Sequence, residues 1–250
     1  MSRLLILKKK TIKISQLNYS DMRVVLIIFF LFSNFILAQT NIATDFRTIG
    51  SNQNTNFGTS FFYNQPNKVI LGSTYLFDDW NNDGEIQTLT GERFLVRNIN
   101  LNISRNAFEA KINDNDSIFS FNFNNIKQII VNGRYYKNYF FNEDNRVYEL
   151  VYSGNTFSIL KGFTVKLVTG SGNPMVNRSN DKYVKKESYF IRSSDTKIIQ
   201  RFRFNKRSLN KLLITGKKDI SNIDRFIQSN NLSYKDEEDV ISILEYAFGK

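Results

Sequence analysis

The residues best suited to chemistry lie in one short run, Asp79-Trp80-Asn81-Asn82-Asp83-Gly84-Glu85-Ile86. Oxygen-bearing side chains at alternate positions, followed by glycine, open a calcium loop: the oxygens converge on the ion and the glycine permits the sharp turn. The candidate calcium ligands are Asp79, Asn81, Asp83 and Glu85. The second half of such a loop does not follow. Its twelfth position, where a bidentate glutamate belongs, is Thr90, and the flanks read as strands rather than helices. A turn between two strands, which Asn and Gly favour on their own account, is the plainer reading. Asp78, Asp79, Asp83 and Glu85 also crowd this turn, and glycoside hydrolysis needs two carboxylates. Catalytic pairs come from facing strands, however, and acids crowded on one turn are usually solvated. Trp80 is the only tryptophan, a candidate to stack on a sugar or peptide or to anchor a hairpin.

A second run is basic. Between Lys182 and Lys218, lysines and arginines alternate with Tyr183, Tyr189, Phe190 and Phe202, and Arg201 and Arg203 are its candidate binding residues. Such a surface could meet lipopolysaccharide, lipid headgroups or nucleic acid. Solvent-facing alternate positions on edge strands, where lysine discourages aggregation, explain the same pattern. The cluster Tyr135, Tyr136, Tyr139, Phe140 and Phe141 reads as core rather than as a ligand platform.

Composition removes whole classes of mechanism. The chain holds no cysteine and no histidine. Disulfides, thiol nucleophiles, thiolate metal sites and a lipidated cysteine are excluded, as are Ser-His-Asp triads and imidazole proton shuttles. No catalytic residue and no cofactor other than the calcium ion emerges.

The elements that would position these residues are mostly strands. From Lys68 to about Phe204 the apolar pattern has period two, broken by turns at Ser104-Arg105-Asn106, Ser153-Gly154-Asn155 and Ser193-Ser194-Asp195. In Arg201-Phe202-Arg203-Phe204 the arginines should face water and the phenylalanines the core. Residues 39–67 are polar with little periodicity, with one short strand expected at Ser60–Tyr63. After residue 204 the period changes. Ser208–Leu213 suggests one helical turn and Asp219–Gln228 an amphipathic helix. Asp236–Phe248 suggests a third helix, capped by Asp236, with Val240, Ile241, Leu244 and Phe248 buried.

Upstream, Met22–Ala38 has one arginine, an apolar core and a small closing residue, the layout of a secretory signal cleaved before Gln39. Residues 1–21 either extend its basic region or precede the true start at Met22. Removing residues 1–38 takes away six of the 34 basic and one of the 23 acidic residues and leaves a net charge of +6 instead of +11. Nucleic acid is thereby disfavoured as a partner.

The block Gly72-Ser73-Thr74-Tyr75-Leu76-Phe77-Asp78-Asp79-Trp80, the segment Val96-Arg97-Asn98-Ile99-Asn100, the leader end Leu37-Ala38-Gln39 and the tail beginning Asn205-Lys206-Arg207-Ser208-Leu209 belong together. With them the chain resembles a group of uncharacterised exported proteins of Bacteroidota, chiefly flavobacteria, over most of residues 68–248. The resemblance implies a bacterial envelope protein and implies no activity.

The expected fold is α+β: an antiparallel, curled meander sheet of about eight strands over residues 68–204, with two or three helices in a tail, 205–250, packed on it. The expected function is a secreted or periplasmic non-enzymatic binding or structural module, taking an anionic envelope surface or an apolar ligand in a concave sheet face. The alternative is a carboxylate hydrolase assisted by calcium.

Overall fold

The computed structural model describes residues 44–45, 54–55, 58–62, 70–112, 117–170 and 180–249. The chain divides into Met1–Asn41 and Ile42–Lys250, and all described residues fall in the second part. The expected leader at Met22–Ala38 lies outside them.

Among the described residues fifteen strands follow in order: β1 (Thr44–Asp45), β2 (Asn54–Thr55), β3 (Gly58–Phe62), β4 (Ile70–Leu71), β5 (Asp83–Thr88), β6 (Arg93–Arg97), β7 (Ile99–Asn102) and β8 (Ala107–Lys111). After β9 (Ser117–Phe121) come β10 (Ile126–Val131), β11 (Arg134–Phe141), β12 (Asp144–Ser153), β13 (Phe157–Val168), β14 (Asp181–Ser193) and β15 (Ile199–Phe202). Three helices close the chain: α1 (Lys206–Thr215), α2 (Ile220–Ser229) and α3 (Glu237–Phe248). Asn205, Asp219 and Asp236 cap them, each accepting from backbone N–H groups of the first turn.

The strands form two sheets. The large one has ten strands, in the order β1-β6-β5-β10-β11-β12-β13-β14-β15, with β4 added beside β14; the small one runs β2-β3-β9-β8-β7. The antiparallel expectation holds for the meander β10 to β15 and for the whole small sheet. It needs correction at two places, where β1 pairs parallel with β6 and β4 parallel with β14, so the large sheet is mixed. The fold class is α+β.

Local chemistry explains the path. The chain passes from β6 in the large sheet to β7 in the small one through Asn98 alone, at φ 55°, a left-handed conformation that asparagine tolerates. Asn132-Gly133 and Asn142-Glu143 both sit at positive φ, so the β10–β11 and β11–β12 hairpins close through two-residue turns that match strand twist.

Three cores result. Ile86, Val96 and Ile129 of the large sheet pack against Leu101, Phe108 and Phe119 of the small one. Beside them on the same face of the large sheet, Phe157 and Ile159 pack against Leu209 and Leu213 of α1, Ile223 and Ile227 of α2, and Val240, Ile243 and Leu244 of α3. On α3 Val240 and Leu244 are buried as expected, Ile243 is buried where the periodicity pointed to Ile241, and Ile241 and Phe248 are only partly buried. α1 is also longer than the single turn expected.

The third core, Tyr148, Leu160, Phe190 and Ile199 with Tyr139 and Phe141, lies on the opposite face. By register, Tyr139 of β11 and Arg192 of β14 stand three strands and six residues apart. A flat sheet would separate them by about 25 Å. Yet the Arg192 guanidinium lies 4.7 Å from the Tyr139 ring centre, and the Phe141 and Phe190 rings are 5.3 Å apart. Strong twist brings these diagonal corners together. Gly162 lets the rings cross: a Cβ there would lie 2.9 Å from Tyr148 and 3.0 Å from Phe190.

Candidate functional site

The segment carrying the acidic run is laid along the edge of the small sheet and pinned by asparagines. Asn100 is buried; its amide donates to the carbonyls of Phe77 and Asp79, both at 2.9 Å, and its Oδ1 accepts from the Phe77 N–H at 3.0 Å. Tyr75 donates 2.6 Å to Glu109, a fully buried carboxylate also reached by Asn102 and Arg105. Burial and that carboxylate push the Tyr75 hydroxyl far up from its ordinary pKa. Trp80 packs edge-on to Tyr75 with ring centres 4.7 Å apart, and Lys111 sits 5.0 Å over its ring. One face of Trp80 is thus already covered within the chain.

The acids do not converge. Asp79 turns back to accept from the Asn81 N–H at 2.9 Å, and Asp78 is exposed beside Lys185. Asp83 begins β5, and Glu85, two residues along that strand, is held by the Arg93 guanidinium. That contact holds the Glu85 carboxyl below the usual carboxylate range. With Asp79 in a turn and Glu85 spent on Arg93, this set does not fit a calcium ion. No group of three or more Asp and Glu placed to hold a metal occurs among the described residues.

Replacing Asn100 with alanine leaves three backbone groups of residues 77–79 without partners. The expected cost is roughly 3 kcal/mol in urea unfolding, with a red shift of Trp80 emission as the segment loosens. Unchanged emission would mean that other contacts hold it.

Arg201 and Arg203 are exposed, while Phe202 and Phe204 turn to the helical core, as the alternation predicts. Arg201 stands opposite Phe190, on the sheet face away from the helices.

Pattern reading missed a polar row inside the sheet. Register aligns Tyr136, Glu149, Lys161 and Tyr189 on adjacent strands β11 to β14. The row continues outward through Ile129, Ile86 and Phe94 on one side and Phe202 on the other. Apolar ends thus flank a charged centre, at the junction of the two cores on that face. Glu237, in the first turn of α3, closes over it: its carboxylate lies 2.6 Å from Lys161 Nζ and accepts from Tyr189 Oη at 2.5 Å. Arg134 reaches Glu149 at 3.2 Å, and Glu187 stands 3.8 Å from Lys161. The signal was present as Lys161 among Phe157, Ile159 and Phe163, a lone charge on an apolar stripe.

Burial raises the Glu149 carboxyl above its ordinary pKa, although Lys161 and Arg134 pull the other way. A carboxyl raised in the folded state stabilises fully below its unfolded pKa and loses that contribution as pH rises through the folded value. Glu149→Gln removes the titration. The stability difference between wild type and variant is therefore expected to change in the variant's favour from about pH 4.3 upward, by at most about 1.4 kcal/mol per pH unit. Urea midpoints across a pH series measure it; a pH-independent difference would contradict the assignment.

A cleft of about 420 Å³ opens at the sheet end beside the helices. Phe157, Ile191, Ile198, Leu212 and Phe248 give it apolar walls. Its polar groups are Thr156, Ser193, Thr196, Gln200 and Thr215, and no ionisable side chain among the described residues lines it. No known protein family matches the chain, and neither a curated protein nor a solved structure was found to be similar to it.

Proposed function

We propose that this protein is an exported, non-enzymatic binding module that takes a small, neutral, largely apolar ligand in the cleft between the β14–β15 turn and helices α1 and α3. The observation that carries the reading is the lining. An apolar wall with a few hydroxyl and amide groups is the usual make-up of a small-molecule site. Without a titratable side chain the cleft offers neither general acid nor general base, which favours binding over turnover. Export rests on the leader at Met22–Ala38 and on the resemblance to uncharacterised exported proteins of Bacteroidota.

The test is titration with N-phenyl-1-naphthylamine, a neutral probe whose emission rises in apolar surroundings. Saturable one-site binding is expected, weakened at least tenfold by Leu212→Trp, which fills the cleft from α1. Thr215→Trp, at the rim, serves as a second variant should the first fold poorly. Equal binding by wild type and both variants would place the ligand elsewhere and overturn the proposal.

A further inference from the structure

On the sheet face away from the helices, cations of β11 and β14 lie about the ring of Tyr139. Lys137 follows Tyr136 on β11 and so points to the opposite face from the buried row, as Arg192 does from β14. Arg192 crosses the sheet to lie 4.7 Å over the ring of Tyr139, two residues beyond Lys137 on the same face. Arg201 on β15 shares this face with its backbone diagonal to Arg192, while the Arg192 guanidinium reaches away from β15 to Tyr139 of β11. Burial depresses the ammonium of half-buried Lys137 below its ordinary pKa, and the charges of Lys127, at the register shift of β10, and of Arg192 add to it.

Among the described residues these cations have no ion-pair partner. The described ion pairs of this chain involve Arg93, Arg105, Arg134, Arg146, Lys161 and Lys185, and none involves Lys127, Lys137, Arg192 or Arg201. Like charges held together on an aromatic floor raise the energy of the free protein. An anion that enters relieves that repulsion, and a guanidinium already stacked on a tyrosine loses little freedom on binding it.

We propose that Lys137 and Arg192, with Lys127 and Arg201 at the margin, form a binding site for a phosphate group, separate from the apolar cleft. The phosphate could be a phospholipid headgroup or a soluble phosphate ester; both offer the same oxygens to a guanidinium and an ammonium.

The experiment has two arms, run on the full mature chain: co-sedimentation with phosphatidylglycerol vesicles, and calorimetric titration with pyrophosphate. Phosphatidylcholine vesicles control for the zwitterionic surface. In whichever arm binds, Lys137→Gln/Arg192→Gln is expected to weaken binding at least tenfold, and Lys217→Gln/Lys218→Gln, the same charge removed elsewhere, less than twofold. Relief of repulsion at Lys137 should leave the variant's melting temperature unchanged or higher, which separates lost binding from lost fold. Vesicle binding without pyrophosphate binding assigns the lipid source, and the reverse a soluble one. Equal losses in the two double variants, or no binding in either arm, would overturn the site and leave the cleft proposal untouched.

Discussion

Lys161→Met is expected to destabilise the protein by roughly 3–5 kcal/mol, the usual effect of removing one partner of a buried ion pair. The methionine keeps most of the stem volume, so little of the loss is packing. The loss comes from the carboxylates left behind. Glu237, 2.6 Å from Lys161 Nζ, is mostly buried in the first turn of α3 with Tyr189 donating to it, and Glu149, buried one strand away, is left with Arg134 at 3.2 Å. Glu237 must then stay charged in a poor solvent, take up a proton, or drag α3 off the sheet. Glu237→Gln in the same chain removes the worst of this, and Lys161→Met/Glu237→Gln should recover at least half of the loss. Urea unfolding of the two single variants and the double variant measures the coupling. Additive losses would mean that the row is not a lock between α3 and the sheet.

Phe108→Ala is expected to cost roughly 3–5 kcal/mol, as large-to-small changes at buried aromatics do. Phe108 lies on β8 of the small sheet and is fully buried. Its ring meets Tyr136 of the large sheet edge-on at 5.1 Å and Phe123, in the turn before β10, at 6.5 Å. One side chain therefore joins both layers. A cavity here touches Tyr136 at the end of the polar row, so the variant should also perturb the pH dependence assigned to Glu149. Phe108→Leu, which refills most of the volume, should lose less than half as much. A loss below 1 kcal/mol in the alanine variant would mean that the sheets close over the gap without penalty.

What could be seen in the sequence follows from how local each signal is. The cap at Asp236, the alternation Arg201-Phe202-Arg203-Phe204 and the turns near residues 104, 154 and 194 are written within a few residues, and they stand in the structure. The mixed character of the large sheet could not be read, because β1 and β4 are two-residue strands joined to β6 and β14 by distant pairing. The passage between sheets at Asn98 was hidden too, since a single left-handed asparagine leaves the strand pattern unbroken on either side. The acidic run showed the right residue types, but side-chain direction undoes it: Asp83 and Glu85 enter a strand while Asp79 stays in the turn. The buried row depends on register across four strands. The basic cluster on the other face depends on twist that brings Arg192 to Tyr139. Neither quantity is present in any window of the chain.

The most direct test of the binding-module reading is native mass spectrometry of the protein taken without denaturation from each cell fraction. The expected result is a chain beginning at Gln39 in an exported fraction, carrying one small neutral molecule that is absent from the Leu212→Trp variant. A bare, full-length chain in the cytosol, or a bound molecule retained by that variant, would contradict it.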